Sequence, residues 1–108
     1  MYPGVARGGL KWSRTARDAL TREHLMALFM DVHNMDGSVS IDDVAKAHQA
    51  DLATQDAHGV HYLRYWVSEA EGKIFCLVDA PDAEAANTVH REAHGLVADS
   101  IFPVAEGD

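Results

Sequence analysis

From residue 26 onward the chain alternates between two hydrophobic periods. "MALFMDVHN" is a short run of strand-compatible residues that ends in the turn "MDGS". Ser40 then stands where a helix N-cap is expected, with Asp42 and Asp43 in the first turn, where the helix dipole favours acids. The spacing predicts a helix over 41–56 with Ile41, Val44, Ala45, His48 and Leu52 on one stripe. "HG" at 58 and 59 closes it, and Gly59 suits a left-handed cap. "VHYLRYWVSE" and "KIFCLVDA", joined through "AEG", predict a β-hairpin. Pro81 stops the second of these strands, and Asp82 can cap a helix that runs to about His94 and ends at Gly95. "DSIFPVAE" supplies a last short strand, which Pro103 restricts to a sheet edge.

The resulting order, β-α-β-β-α-β, predicts an α+β fold of the ferredoxin-like kind, an antiparallel sheet with two helices on one face. Strict alternation assigns the faces. Leu28, Met30 and Val32 oppose Phe29, Asp31 and His33 in the first strand. Leu63, Tyr65 and Val67 oppose Tyr62, Arg64 and Trp66, and Ile74, Cys76 and Val78 oppose Phe75 and Leu77. Both faces therefore carry large apolar groups, while two helices cover only one. A homodimer packed sheet against sheet, a dimeric α+β barrel, is the expected solution.

Residues 1–25 show no such period. They are Gly- and Arg-rich at first, Met26 stands where a natural start would, and the segment is expected to be a flexible extension of a single domain over 26–108. Charge divides in the same place. The extension holds five basic residues against two acidic ones, and the remainder four against 15, a formal charge of −11. An acidic body repels phosphate backbones and attracts cations, which argues against a nucleic-acid partner. No apolar run approaches the roughly 20 residues of a membrane span, no secretory h-region is present, and one Cys allows no internal disulfide. A cytoplasmic protein without a membrane partner is expected.

Seven histidines are many for 108 residues. "VHREAHG" sets His90 and His94 one helical turn apart on one face, a spacing that lets two imidazoles share an ion. Alone the pair is a weak signal. The topology places His33 and His94 near one pole, where they are expected to converge on one ion, with His48, Cys76 and His90 at middle height. His58, His61 and Asp51 are expected in the other half. His48 and Asp51 are i and i+3 on their helix, a spacing that also suits a ligand and its partner. Each residue has a plain structural reading as well: His48 a hydrogen-bonded boundary residue, Cys76 an inert buried thiol, His58 a cation ending a helix. Only their number, with acidic neighbours, resists that reading. Imidazole and carboxylate suit Ni, Zn, Cu and Co, and the lack of Cys pairs excludes a tetrathiolate zinc site or an iron–sulfur cluster.

"MDVHN", "AHQADLATQ", "YLRYW", "GKIFCL", "APDAEAA" and "VHREAHG" together resemble the small bacterial nickel-binding, nickel-responsive proteins of ferredoxin-like fold, over nearly everything from Met26 onward. The resemblance implies a homodimer that binds Ni²⁺, acts as a nickel sink in metal homeostasis and is not an enzyme. It directs attention to His33, His48, Asp51, Cys76, His90 and His94 as metal-site residues, with His58 and His61 as surface candidates. The competing readings are a small-molecule enzyme of the dimeric α+β barrel type, such as a cofactor-independent oxygenase or isomerase with a pocket lined by His48, Cys76 and His90, and a ligand-sensing module.

Overall fold

The computed structural model describes residues 26–107; the expected extension over residues 1–25 lies outside the described residues. The elements are β1 (Ala27–Asn34), α1 (Ile41–Thr54), β2 (His61–Ser68), β3 (Lys73–Ala80), α2 (Ala83–Ala93) and β4 (Ser100–Pro103). One sheet has the order β2-β3-β1-β4, and every pairing in it is antiparallel. This is the ferredoxin-like α+β arrangement, with both long helices packed on one face. Pro103 closes β4 at the sheet edge, where a missing N–H disturbs no ladder.

The helix starts follow from local chemistry. Ser40 Oγ accepts the Asp43 N–H at 3.0 Å, and Glu69 Oε2 accepts the Ile41 N–H at 2.8 Å. Asp82 Oδ1 does the same for the Ala85 N–H at 2.8 Å. The first helix ends at Thr54, earlier than its periodicity suggests, and tightens into a 3-10 turn over Gln55–His58. Gly59 then reverses the chain with φ 65°. Gly72, at φ 67°, has a different constraint: a Cβ there would run into the Gly37 carbonyl of the β1–α1 loop.

The core lies between the sheet and the helices, around Val60, Ile74, Val78, Ala86 and Val89. Two face assignments change. On α1 the buried residues are Val44 and Asp51, whereas Ile41 is 48% exposed. The helix is rotated from its most apolar stripe because Asp51 has a polar partner beneath it. On β2 the register shifts between Tyr62 and Arg64, so that Tyr62 pairs with Val78 and Tyr65 with Cys76. This bulge turns both tyrosines inward, where strict alternation would have separated them. The outer face of the sheet, which carries no helix among the described residues, exposes Leu63, Trp66 and Phe102.

Candidate metal centre

Strand β1 is an apolar run that carries two polar residues of the same parity, Asp31 and His33, both buried on the inner face. Antiparallel pairing sets Asp31 opposite Cys76, and Cys76 opposite Tyr65 on the next strand. Helix α2 lowers His90 onto this row from above, only 1% exposed. Its Nε2 lies 3.0 Å from Asp31 Oδ2 and 3.3 Å from His33 Nε2. Its Nδ1 lies 3.0 Å from Asp51 Oδ1, which α1 supplies. His90 is thus the hub, held between two carboxylates by its two ring nitrogens.

Tyr62 completes the support. Its hydroxyl lies 3.0 Å from Asp31 Oδ2 and 3.0 Å from the Ala86 carbonyl, one proton facing two acceptors. Asp31 Oδ1 has no hydrogen-bond partner at all, although it is buried and lies 3.2 Å from His33 Nε2. A contact at that distance without hydrogen-bond geometry leaves an acceptor unsatisfied.

The electrostatics follow from this packing. Burial pushes the Asp31 carboxyl up, but the imidazoles of His33 and His90 outweigh it and hold Asp31 well below the usual carboxylate range. Burial disfavours a charged His90; the hydrogen bonds to Asp31 and Asp51, with their charges, overcome this and raise it to about 9. At neutral pH His90 is therefore an imidazolium. Burial, reinforced by Asp31, pushes both the Tyr62 hydroxyl and the Cys76 thiol far up, so each keeps its proton. His94 behaves oppositely: burial lowers it, only partly offset by Asp51. Its Nδ1 accepts the Leu96 N–H at 3.1 Å, and its Nε2 lies 3.1 Å from Asp51 Oδ1.

Two donor groups share His90. Asp31, His33, Cys76 and His90 form one, and Asp51, His90 and His94 the other, the ligand atoms of each lying within 4.8 Å of one another. Three donors about 3 Å apart can all meet one ion at about 2.0–2.2 Å, the length of imidazole and carboxylate bonds to zinc-sized cations. The orphaned Asp31 Oδ1 fits such an ion, since a cation would satisfy it. Beside the cluster opens a cavity of about 220 Å³, whose polar floor includes His33, Asp51, Cys76 and His90.

The other sequence candidates are distributed differently. His33 meets His90 and not His94, and Asp51 belongs to the centre and not to the far half with His58 and His61. His48 stands against the Tyr65 ring, centroids 4.8 Å apart, on the cavity wall but in neither donor group. His58 pairs with exposed Glu92 at 2.8 Å, and His61 is exposed at the start of β2. Periodicity reading passed over Asp31 and Tyr62. The signal for Asp31 was available: an acid of inward parity inside "LFMDVH", two residues before a histidine of the same parity.

Residues 29–104 match a protein family described as nickel responsive protein SCO4226-like. Among solved structures, the crystal structure of SCO4226 from Streptomyces coelicolor A3(2) is similar, with a TM-score of 0.70 and 41% identity over 76% of this chain and 100% of that one. No curated protein matches the chain.

Proposed function

The chain belongs to the SCO4226-like nickel-responsive family, and from that premise we propose that it is a homodimeric Ni²⁺-binding protein of nickel sequestration and homeostasis. The observation that carries this reading is the buried Asp31–His33–His90 cluster, with an unsatisfied carboxylate oxygen among its donors. His33 Nε2, His90 Nε2 and Asp31 would hold the ion, and Cys76 would join as a fourth, softer donor only where the ion displaces its thiol proton. Asp51 would accept the remaining His90 Nδ1–H, the carboxylate partner that orients a ligating imidazole. Bound metal would supply the positive charge that His90 otherwise provides as an imidazolium, so nothing buried is left uncompensated.

Binding must then displace a proton. Neutral imidazole is the ligand, and His90 is protonated up to about pH 9. Apparent Ni²⁺ affinity is expected to rise with pH toward that value. Calorimetric titrations in two buffers of different ionisation enthalpy should report proton release near neutrality, and His90→Gln should abolish both the release and the tight site. Loss of binding in His58→Ala or His61→Ala, with His90→Gln and Asp31→Asn unaffected, would overturn the buried centre in favour of a surface one.

The homodimer reading rests on the outer sheet face. Leu63, Trp66 and Phe102 are about half exposed there, and among the described residues no helix covers them. A second copy offering the same face buries both. Light scattering at micromolar concentration should report twice the chain mass; a monomer would remove the barrel. Among the described residues no helix is long and apolar enough to cross a membrane.

A further inference from the structure

Strand β2 departs from regular pairing between Tyr62 and Arg64, and the departure turns Tyr62 inward, 3% exposed. The bulged backbone is tied down at the same residue. Its N–H donates to Gln55 Oε1 at 2.8 Å, a side chain of the 3-10 turn that precedes the strand. A bulge anchored in this way aims one side chain at one place. The Tyr62 ring lies against the His90 imidazole, with centroids 4.5 Å apart and planes tilted by 32°. Its hydroxyl reaches on to Asp31 Oδ2 and to the Ala86 carbonyl, each at 3.0 Å. One phenol thus contacts two members of the Asp31–His33–Cys76–His90 donor group without being a member of it.

The two oxygens of Asp31 are left in different states. Each carboxylate oxygen offers two lone pairs. Oδ2 meets the Tyr62 hydroxyl with one and faces His90 Nε2 at 3.0 Å with the other. Oδ1 is buried with no hydrogen-bond partner, 3.2 Å from His33 Nε2. A hydrogen bond draws electron density from Oδ2 and makes it the weaker donor of the pair. An ion that takes Oδ1 alone leaves the buried Tyr62 bond intact. An ion that takes both oxygens has to compete with it, and a buried hydrogen bond is costly to lose.

We infer that Tyr62 is a positioning residue of the metal centre: its hydroxyl reserves Asp31 Oδ2, so that Asp31 binds the ion through Oδ1 alone, and its ring fixes the plane of His90. The inference rests on the buried centre proposed above and adds how that centre limits its coordination number. A carboxylate that gives one oxygen holds the number down; one that gives two raises it.

The test uses the full chain, loaded with Ni²⁺ for affinity and with Co²⁺ for its visible spectrum. Tyr62→Phe keeps the ring and removes the hydroxyl. Its Ni²⁺ affinity should fall by roughly 10–100-fold, the range for partners of metal ligands. Its Co²⁺ band should weaken, as it does when a second carboxylate oxygen raises the coordination number. Asp82→Ala is the control for simple loss of stability, since it removes the N-cap of α2, the helix that carries His90, and touches no donor. It should lower the melting temperature and leave the Co²⁺ band as in wild type. Infrared spectra of Ni²⁺-loaded wild type with isotope-labelled aspartate, with Asp31→Asn to identify the band, read the carboxylate directly. Widely separated stretches are expected, the mark of one ligating oxygen. Closely spaced stretches, Tyr62→Phe with wild-type affinity and band, or Asp82→Ala reproducing the Tyr62→Phe changes would each overturn the assignment. The infrared reading decides the matter where Tyr62→Phe does not fold. A wild type that takes up no Ni²⁺ in the buried centre overturns the metal reading and this one together; a loaded wild type with an unaltered Tyr62→Phe overturns this one alone.

Discussion

The two faces of the sheet invert the usual division of labour. The inner face, covered by helices, holds Asp31, His33 and His90 beneath a layer where apolar residues would be cheaper to desolvate. The outer face leaves Trp66 46% and Phe102 53% exposed. A fold that wanted only stability would exchange these choices. The comparison teaches that the two faces are built differently: paired buried charge inside, where the proposed cation would sit, and exposed apolar surface outside, where the proposed second copy would pack. Charge inside is tolerated because each ring nitrogen of His90 is matched to a carboxylate.

The strongest way to break that contrast is to remove one partner inside. Asp31→Ala leaves the His90 imidazolium facing Asp51 alone beside a hole, and should destabilise the metal-free protein by about 3–5 kcal/mol in urea unfolding. Replacing Asp31, His90 and Asp51 together by Leu should recover most of the loss, because no member of the charged set is then left unpaired. A triple variant as unstable as the single one would mean that shape, and not charge pairing, sets the inner face.

Acidity and alkalinity act on the same pair. His90 is raised from 6.5 to about 9, so its contribution is fully present below 6.5 and is lost as pH rises through 9. The fall should amount to about 3 kcal/mol, by linkage, in metal-free protein. Asp31 is lowered from 3.8, so its share is present above 3.8 and disappears only as pH falls further into acid. Melting temperatures across this range should show the alkaline decline in wild type and its absence in His90→Gln. A flat alkaline limb in wild type contradicts the imidazolium hub.

Tyr62→Phe makes a finer cut. It removes the hydroxyl that Asp31 Oδ2 and the Ala86 carbonyl share, and should cost about 1.5–3 kcal/mol, as for a hydrogen bond to a charged group. The smallest effect belongs to the outer face. Trp66→Lys should change the unfolding free energy of dilute monomer by no more than about 0.5 kcal/mol, while light scattering should show the proposed dimer lost. A large destabilisation of the monomer would mean that Trp66 supports the chain's own core.

The sequence by itself determined what local chemistry decides. Ser40 and Asp82 cap their helices, Gly59 ends the first helical region, Pro103 marks an edge strand, and the two alternating periods order the elements as they stand. Each of these depends on residues within one turn or one strand, so spacing reveals it. His33, His90 and Cys76 were also legible as polar or soft residues on core-facing positions. The partners were not. Only tertiary structure put Asp51 of α1 under His90 of α2, rotated α1 away from Ile41, and shifted β2 by a bulge so that Tyr62 reaches Asp31. These contacts join residues 31 to 59 positions apart, and a distance-dependent interaction such as a buried ion pair leaves no period in the chain. The physical reason is that periodicity records which face a residue takes, whereas the chemistry of the centre depends on angstroms between faces brought together by the fold.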